Sequence, residues 1–183
     1  MEVFMSDLTD EEIARRVKAG ETYWFSLLVE RYEARLSRYA RKFLFGIEDT
    51  EDLLQEVFVK AFTNIQSFDG KRRFSPWIYR IAHNEFVNAL KKRKHEALPF
   101  FDLDTIFPHP EPEEVSREDL RPMLEQALDR IDAKYREPLV LYYYENLEYK
   151  EIADVLRIPV STVGVRIKRG REALKKIVTT DHD

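Results

Sequence analysis

Cationic side chains concentrate on one face of a helix near the C-terminus. After Pro159, apolar residues such as Val163 and Ile167 recur at helical spacing and define an inner face. The remaining positions carry the positive charges of Arg166, Lys168, Arg169, Arg171 and Lys175. A row of lysine and arginine side chains neutralises nucleic-acid phosphates, so this pattern indicates a phosphate-binding helix.

A shorter helix precedes this one, and a tight break separates them. Apolar residues at Ile152, Ala153 and Leu156 predict the first helix, and Pro159 prevents it from continuing. Two helices joined by a tight turn, with the basic face on the second, are typical of a helix-turn-helix that reads the DNA major groove. The alternative is an ordinary solvated helix. Because acids lie mainly on the first helix and cations on the second, the pattern favours DNA binding.

A second basic cluster occupies residues 69–73, which we call the basic loop. Asp69-Gly70 predicts a turn, and Ser75-Pro76 predicts the cap and first residue of the next helix. Aromatic rings beside cationic side chains can bind single-stranded nucleic acid. Each base that stacks on such a ring contributes about 1–3 kcal/mol to binding. The rings here are those of Phe68, Phe74 and Trp77, of which Trp77 could instead belong to the core. The following helix carries a polar ridge of Arg80, Asn84, Asn88 and Lys91.

The helix predicted from Asp49 or Thr50 to Ile65 has two different faces. Its apolar side is expected to face a core and consists of Leu54, Val57, Phe58, Ala61 and Ile65. Its other side, which we call the docking face, consists of Asp52, Gln55, Glu56 and Val59. Acidic side chains in the first turn of a helix are also stabilised by the helix dipole, which is an alternative explanation for the presence of Asp49 and Asp52. Gln55 and Glu56 lie deeper in the helix and gain less from that effect.

The overall composition excludes several classes of protein. The chain has 183 residues, 44% apolar and 35% charged, with a net charge of −4, which fits one ordinary globular domain or two small ones. The N-terminus is acidic and no apolar run is long enough to span a bilayer, so we expect no signal peptide, no membrane insertion and a cytoplasmic location. The absence of cysteine excludes disulfides and thiolate catalysis.

Neither catalysis nor metal binding is indicated. There is no glycine-rich phosphate loop and no nucleophile with an adjacent base. The histidines are scattered without metal-ligand spacing, and each is expected to be a solvated or capping residue: His83, His95, His109 and His182. We therefore expect no enzymatic activity, no catalytic residue, no metal and no cofactor.

Helical periodicity runs through most of the chain, and strand signals are absent. A capping box at Thr9 and Glu12 begins a helix that stops at Gly20, and a longer helix follows over residues 22–43. After His95, prolines and acids predict a flexible acidic linker. The sequence thus predicts an all-α fold of two small helical domains joined by that linker.

Two further helices are predicted between the linker and the helix-turn-helix. Ser116 with Asp119 can cap the first, whose inward side consists of Leu120, Leu124, Ala127, Leu128 and Ile131. The second extends over about residues 133–144, and Pro138 predicts a local irregularity within it. Its predicted buried residues are Leu139, Leu141 and Tyr142.

Three collinear segments resemble the extracytoplasmic-function group of bacterial sigma factors. They are DLLQEVFVKAF (52–62), FSPWIYRIAHN (74–84) and YKEIADVLRIPVSTVGVRIKRGREAL (149–174). The resemblance implies a protein that binds core RNA polymerase and promoter DNA, as duplex and as melted single strand, with an anti-sigma factor as the expected regulator. It also implies sigma region two over 1–95, an acidic Pro-rich linker over 96–116, sigma region four over 117–178 and a tail over 179–183.

The resemblance also implies roles for three sets of residues. Core polymerase would be bound by Asp49, Asp52, Gln55, Glu56 and Phe58. The melted −10 promoter element would be bound by Lys71, Arg73, Phe74, Trp77, Arg80, Asn84 and Asn88. The duplex −35 element would be read by Tyr149, Pro159, Ser161, Thr162, Gly164, Val165, Arg166, Lys168 and Arg169.

Two positions depart from the family pattern. Arg157 stands where the turn usually has glycine, which predicts a strained or differently shaped turn. Gly164 stands where a longer polar side chain is common, at a cost in helix stability of about 1 kcal/mol relative to alanine. Either Gly164 allows a close approach to DNA or one phosphate contact is missing.

Two other functions fit parts of the pattern. One is a homodimeric helix-turn-helix transcriptional regulator that acts without polymerase, and the other is an adaptor that binds polymerase but not DNA. A separate hypothesis concerns the linker, in which Glu111, Glu113 and Glu114 could lie against a basic surface of the free protein and weaken DNA binding. The alternative is an ordinary solvated tether.

Overall fold

A computed structural model describes residues 8–43, 50–96 and 120–180, and this part of the chain is helical without strands. The helices are α1 (Asp10–Lys18), α2 (Phe25–Phe43), α3 (Thr50–Thr63), α4 (Phe74–Glu96), α5 (Leu120–Asp129), α6 (Ala133–Tyr143), α7 (Tyr149–Leu156) and α8 (Val160–Thr180). Short 3-10 turns at Thr22–Trp24 and Ile65–Ser67 precede α2 and follow α3. The prediction of an all-α fold is confirmed. Asp49, most of the predicted linker, and the predicted cap at Ser116 and Asp119 lie outside the described residues.

Helices α1 to α4 form the N-terminal half. The predicted capping box of α1 is confirmed, because the Glu12 amide donates to the Thr9 hydroxyl at 3.2 Å and the Thr9 amide donates to the Glu12 carboxylate at 2.8 Å. Gly20 follows with a φ of 100°, a left-handed value that glycine adopts without steric strain. The core of this half includes Leu28, Tyr32, Leu36 and Tyr39 of α2, together with the predicted residues Leu54, Val57 and Ala61 of α3.

Helix α4 is capped by a side chain from another helix. It begins at Phe74, whose amide donates to Oε1 of Glu11 in α1 at 2.8 Å. Ser75 lies within the first turn and is buried, so the predicted Ser75 cap is wrong. A residue 63 positions away in the chain supplies the oxygen instead, and neighbouring sequence gives no signal for that contact.

Helices α5 to α8 form the C-terminal half, in which α8 packs against α5, α6 and α7. Most of the predicted core residues are buried, but Leu124 is 42% exposed and Tyr142 is 36% exposed. Leu124 lines an open surface cleft, and Tyr142 packs edge-on against Tyr143 and Tyr149. Helix α6 is continuous through Pro138.

The two halves contact each other through α2 against α6 and through α4 against α7. Lys42 Nζ lies 2.9 Å from Oε2 of Glu125 and 2.9 Å from Oδ1 of Asp129. Arg35 Nη2 lies 2.8 Å from Oε2 of Glu145, whose side chain is only 1% exposed. In both contacts the N-terminal half supplies the cation and the C-terminal half supplies the carboxylate.

Glu137 is another carboxylate of the C-terminal half that contacts the N-terminal half, and it lies in the buried part of the interface. Its Oε1 accepts a hydrogen bond from the Tyr39 hydroxyl and lies 2.7 Å from Nδ1 of His83. Burial, reinforced by the Glu137 carboxylate, raises the pKa of Tyr39 well above its ordinary value. The expectation of a solvated or capping histidine is therefore wrong for His83. The other three histidine side chains lie outside the described part of the chain.

A matched pair of glycine substitutions tests the packing of α8. An added Cβ at Gly170 would lie 2.7 Å from Cδ1 of Leu139 and 3.2 Å from the carbonyl oxygen of Tyr135, whereas at Gly164 it would meet only the Tyr149 ring at 3.6 Å. We expect Gly170→Ala to lower the free energy of unfolding by about 1–3 kcal/mol through overpacking. Gly164→Ala should raise it by about 1 kcal/mol through helix propensity. Urea titration measures both, and equal shifts in the two variants would contradict the packing described.

Acidification tests the contact between the halves. Burial alone would raise the pKa of Glu125, but hydrogen bonds from Lys42 and Tyr144 outweigh it and lower that pKa below its ordinary value of 4.5. A carboxyl with a lowered folded-state pKa stabilises the fold above its ordinary pKa, and this contribution is lost as the pH falls through the lowered value. The wild-type chain should therefore be more stable than Glu125→Gln at about pH 7, and the difference should shrink at about pH 3. Urea titration of both chains checks this, and a pH-independent difference would refute it.

Candidate nucleic-acid interface

The helix-turn-helix is formed by α7 and α8. Glu148 and Glu151 form a capping box at the start of α7, in which the Glu148 amide donates to Oε2 of Glu151 at 2.8 Å. Helix α8 then begins at Val160, directly after Pro159, as the sequence predicts. Val163 and Ile167 are buried against the rest of the domain, so the inner face of α8 is the predicted one. This anchoring directs the opposite face of α8 outward.

The predicted −35 residues form one surface along the outer side of the helix-turn-helix. Lys168 and Arg169 are exposed, Arg166 is half-buried, and Val165 is 50% exposed. The start of α8 contributes exposed Pro159 and Ser161 with half-buried Thr162. Tyr149 of α7 lies beside Gly164, where an added Cβ would meet its ring at 3.6 Å, an ordinary van der Waals distance. Packing within the protein therefore does not require glycine at 164.

The turn between α7 and α8 depends on Arg157. This residue has φ 54° and ψ 44°, a left-handed conformation that costs a non-glycine residue about 1–2 kcal/mol. The strain predicted from the missing glycine is confirmed. The amide of Ile158 donates to the carbonyl oxygen of Ala153 at 3.2 Å, which satisfies one of the last carbonyls of α7.

The basic loop is held from both sides. Lys18 Nζ donates to the carbonyl oxygen of Phe68 at 2.6 Å, and the Arg72 amide donates to the Asp69 carbonyl at 2.9 Å, which closes the predicted turn. Lys71, Arg73 and Arg80 are exposed at or beside the loop. Asn84 and Asn88 continue the polar ridge along α4. The structure thus brings most of the predicted −10 residues together.

Phe74 is a correction to that set. Its side chain is 0% exposed and contacts the rings of Tyr32 and Phe68 edge-on, so it belongs to the core and cannot stack on a base in this conformation. Phe68 is also buried. Trp77 is half-buried, with its ring packed on both phenylalanines at centroid distances of 5.5 and 5.3 Å. Of the three predicted aromatic surfaces, only Trp77 is accessible.

The docking face is exposed on α3. Asp52, Gln55 and Glu56 are all exposed, and Val59 is 62% exposed, while Phe58 packs partly into the core. The face therefore combines carboxylates, an amide and an apolar side chain that the N-terminal half does not bury. This arrangement suits a protein partner better than nucleic acid, because the carboxylates would repel phosphates.

Two acids of α7 lie against the basic loop, a position that the sequence alone does not predict. Arg73 Nη1 lies 2.8 Å from Oε2 of Glu151, and Arg72 Nη1 lies 3.8 Å from Oδ2 of Asp154. Both acids belong to α7, and together with Trp77 they line a cleft of about 380 Å³ beside the basic loop. The only sequence signal for this contact is the opposite charge of the loop and of α7.

Two family models match the chain. The model described as Sigma-70 region 2 matches residues 28–96, and the model described as Sigma-70, region 4 matches residues 121–174. The chain is 36% identical over 178 residues to the extracytoplasmic-function RNA polymerase sigma factor SigW of Bacillus subtilis, with 88% of this chain and 92% of that protein covered. The chain belongs to the extracytoplasmic-function sigma factors.

Other relatives agree with this assignment. The RNA polymerase sigma-H factor of Pseudomonas aeruginosa is 32% identical, with coverage of 91% of this chain and 92% of that protein. The sigma-E factor of Escherichia coli is also 32% identical, with coverage of 91% and 93%. Sigma factors of this family are non-catalytic initiation factors. The function of this chain is accordingly to direct RNA polymerase to promoters for transcription initiation.

Solved structures share the fold. CnrH, determined with the cytosolic domain of CnrY, matches with a TM-score of 0.66 and 25% identity over 94% of this chain and 98% of that one. The sigma factor RpoE of Bartonella quintana, determined with the anti-sigma factor NepR, matches with a TM-score of 0.70 and 22% identity over 86% of this chain and 98% of that one.

Among the described helices none is long and apolar enough to cross a membrane. The described residues also contain no group of acids and histidines suited to a metal ion.

Replacement of Arg157 tests the strained turn of this sigma factor. Arg157→Gly should raise the free energy of unfolding by up to about 1 kcal/mol, because glycine relieves the left-handed strain but makes the unfolded chain more flexible. Arg157→Ala is the matched control and should give no gain, since alanine carries the same Cβ. Thermal or urea unfolding of the three chains checks this. A gain in the alanine variant would show that the arginine side chain, not the backbone, is the cause.

Proposed function

We infer that this sigma factor acts through three separate surfaces. The docking face on α3 binds core RNA polymerase, and Phe58 and Asp49 contribute to the same binding. The basic loop with α4 holds the melted −10 strand, and α8 reads the −35 duplex. In this proposal sigma region two spans 1–95, the linker 96–116, sigma region four 117–178 and the tail 179–183.

The exposed docking face is the observation that carries the proposal. A homodimeric helix-turn-helix regulator needs a DNA-reading helix but has no use for a mixed acidic and apolar face on a second domain. Here Glu56 and Val59 are exposed side by side on α3, far along the chain from α8. A single exposed apolar side chain is common on protein surfaces, so this face supports the proposal because it also lies within the segment that the Sigma-70 region 2 model matches.

Capture of the melted strand rests on Trp77 and its surrounding cations. The partly accessible indole offers a stacking surface, and Lys71, Arg73 and Arg80 supply charges for the phosphates of the same strand. Extruding a base from duplex DNA costs a few kcal/mol, which stacking and charge neutralisation at this site offset. The protein performs no covalent step, because phosphodiester synthesis belongs to the polymerase.

Reading of the duplex rests on the outer side of α8. In this proposal Arg166, Lys168 and Arg169 contact phosphates and base edges in the major groove, and exposed Val165 offers an apolar contact of the kind that thymine methyl groups accept. Tyr149 borders this surface from α7. Phosphate contacts position the helix, whereas base-edge contacts determine promoter preference.

Regulation and location follow from the same assignment. One solved structure of similar fold was determined with an anti-sigma factor and another with a cytosolic domain bound, which supports an anti-sigma factor as the regulator of this chain. A protein that docks on bacterial RNA polymerase acts where transcription occurs, in the cytoplasm.

Reconstitution with bacterial core RNA polymerase on a promoter library tests the proposal. We expect promoter-specific initiation by the wild-type chain. Gln55→Ala with Glu56→Ala should weaken polymerase binding by about tenfold or more, since interface residues that matter cost over about 1 kcal/mol when truncated. Arg166→Ala with Arg169→Ala should leave polymerase binding intact and weaken promoter binding at the −35 element.

A control variant separates these effects from a general change of charge. Glu30→Gln with Glu33→Gln removes two exposed acids of α2 outside the three surfaces and should behave as the wild type. Absence of promoter-specific initiation by the wild-type chain would overturn the proposal. Protection of paired half-sites about one helical turn apart without polymerase would establish the homodimeric regulator instead. Unchanged activity of the Arg166 and Arg169 variant would indicate an adaptor.

A further inference from the structure

The outward face of α8 has an apolar side chain at its centre. Val165 is 50% exposed and lies on the side of the helix opposite to buried Val163 and Ile167. Lys168 and Arg169 follow one turn later on the same exposed face. A single exposed valine is common on protein surfaces. This one is distinguished by its position beside cations that are suited to hold the helix against phosphates.

The first six residues of α8 carry no charged side chain. They are VSTVGV, over 160–165. In helix-turn-helix proteins the N-terminal residues of the second helix contact base edges. Arginine or lysine reads guanine and asparagine or glutamine reads adenine through paired hydrogen bonds, whereas the hydroxyls of serine and threonine discriminate little between bases. Side-chain hydrogen bonds from this segment therefore give little selectivity, and an apolar contact remains as the means to distinguish bases.

Gly164 reduces the bulk of the helix beside Val165. Alanine at this position would favour the helix by about 1 kcal/mol. Its Cβ would meet only the Tyr149 ring, at an ordinary distance of 3.6 Å. Neither helix propensity nor packing within the protein therefore explains the glycine. A helix without a side chain at 164 can approach base edges more closely, which favours contact between Val165 and the bases.

We propose that Val165 is a specificity-determining residue that reads the 5-methyl group of a thymine in the −35 duplex. This proposal rests on the proposed role of α8 in −35 binding. Thymine is the only one of the four standard bases that presents a methyl group in the major groove, so the contact distinguishes a T·A pair from the other arrangements. Loss of the contact returns apolar surface to water and should lower the affinity about fourfold for each methyl group.

The first experiment identifies the element and removes methyl groups from the DNA. The complex of the wild-type chain with core RNA polymerase selects initiating promoters from a library that is randomised over the −35 region. Each thymine of the selected element is then replaced singly by deoxyuridine, which lacks the methyl group but keeps every hydrogen-bonding atom. We expect at least one replacement to weaken promoter binding about three- to fivefold.

A second pair of promoters restores the methyl group on a different base. Cytosine and 5-methylcytosine, each paired with guanine, are placed at the thymine position that responded to deoxyuridine. The methyl group of 5-methylcytosine lies at the same place in the major groove as that of thymine. The methylated promoter should therefore bind more tightly than the cytosine promoter by a similar factor, and equal binding would overturn the proposal.

Two protein variants assign the methyl dependence to one side chain. Val165→Ala removes the reading group, and Val160→Ala is its matched control. Val160 is another exposed valine of α8, at 43%, but helical spacing places it nearer the buried side. Val165→Ala should bind the thymine and deoxyuridine promoters equally, whereas Val160→Ala should keep the full difference. Both side chains are exposed, so both variants should remain folded, which urea titration checks.

The outcomes separate this inference from the proposed function. A selected −35 element without thymine, or one that binds equally well with every deoxyuridine, would overturn the inference and leave −35 binding by α8 intact. Full methyl dependence in Val165→Ala, or its loss in Val160→Ala, would overturn the assignment to Val165. Initiation without any −35 preference would overturn the proposed role of α8 as well. Loss of the methyl dependence in Val165→Ala alone would establish the assignment.

Discussion

Buried carboxylates of the C-terminal half, which pair with donors of the N-terminal half, constrain how the two halves pack in the described part of the chain. Glu137 is 8% exposed and Glu145 is 2% exposed, and their partners Tyr39, His83 and Arg35 all come from the other half. Removing the hydrogen-bond partner of a buried polar group costs about 1–3 kcal/mol, and more when the group that remains is charged. The packing of the two halves therefore depends on these contacts.

This constraint connects the fold to promoter binding. Once α4 and α7 are packed together, Glu151 meets Arg73 and the basic loop is covered on one side. The proposed −35 surface of α8 is not subject to the same restriction, since Lys168 and Arg169 are exposed in this structure. The two proposed DNA-binding surfaces thus differ in accessibility although they belong to one chain.

Local interactions explain the parts that could be predicted. The capping box at Thr9, the buried face of α8 at Val163 and Ile167, and the exposed docking face at Glu56 all follow from residues within one or two helical turns of each other. Periodicity determines which side of a helix is apolar, and a cap is a short-range hydrogen bond. The strain at Arg157 was predicted in another way, because arginine stands where the turn of the family usually has glycine.

The sequence by itself determined an all-α chain with a basic recognition helix, a basic loop and a docking face, because helical spacing and charge are local properties. Only the tertiary structure decided that Phe74 is core, that Glu11 caps α4, that His83 meets Glu137 and that Glu151 covers Arg73. Each of these contacts joins residues far apart in the chain. An acid or a cation viewed alone resembles a solvated side chain, and its burial or pairing depends on which helices pack together.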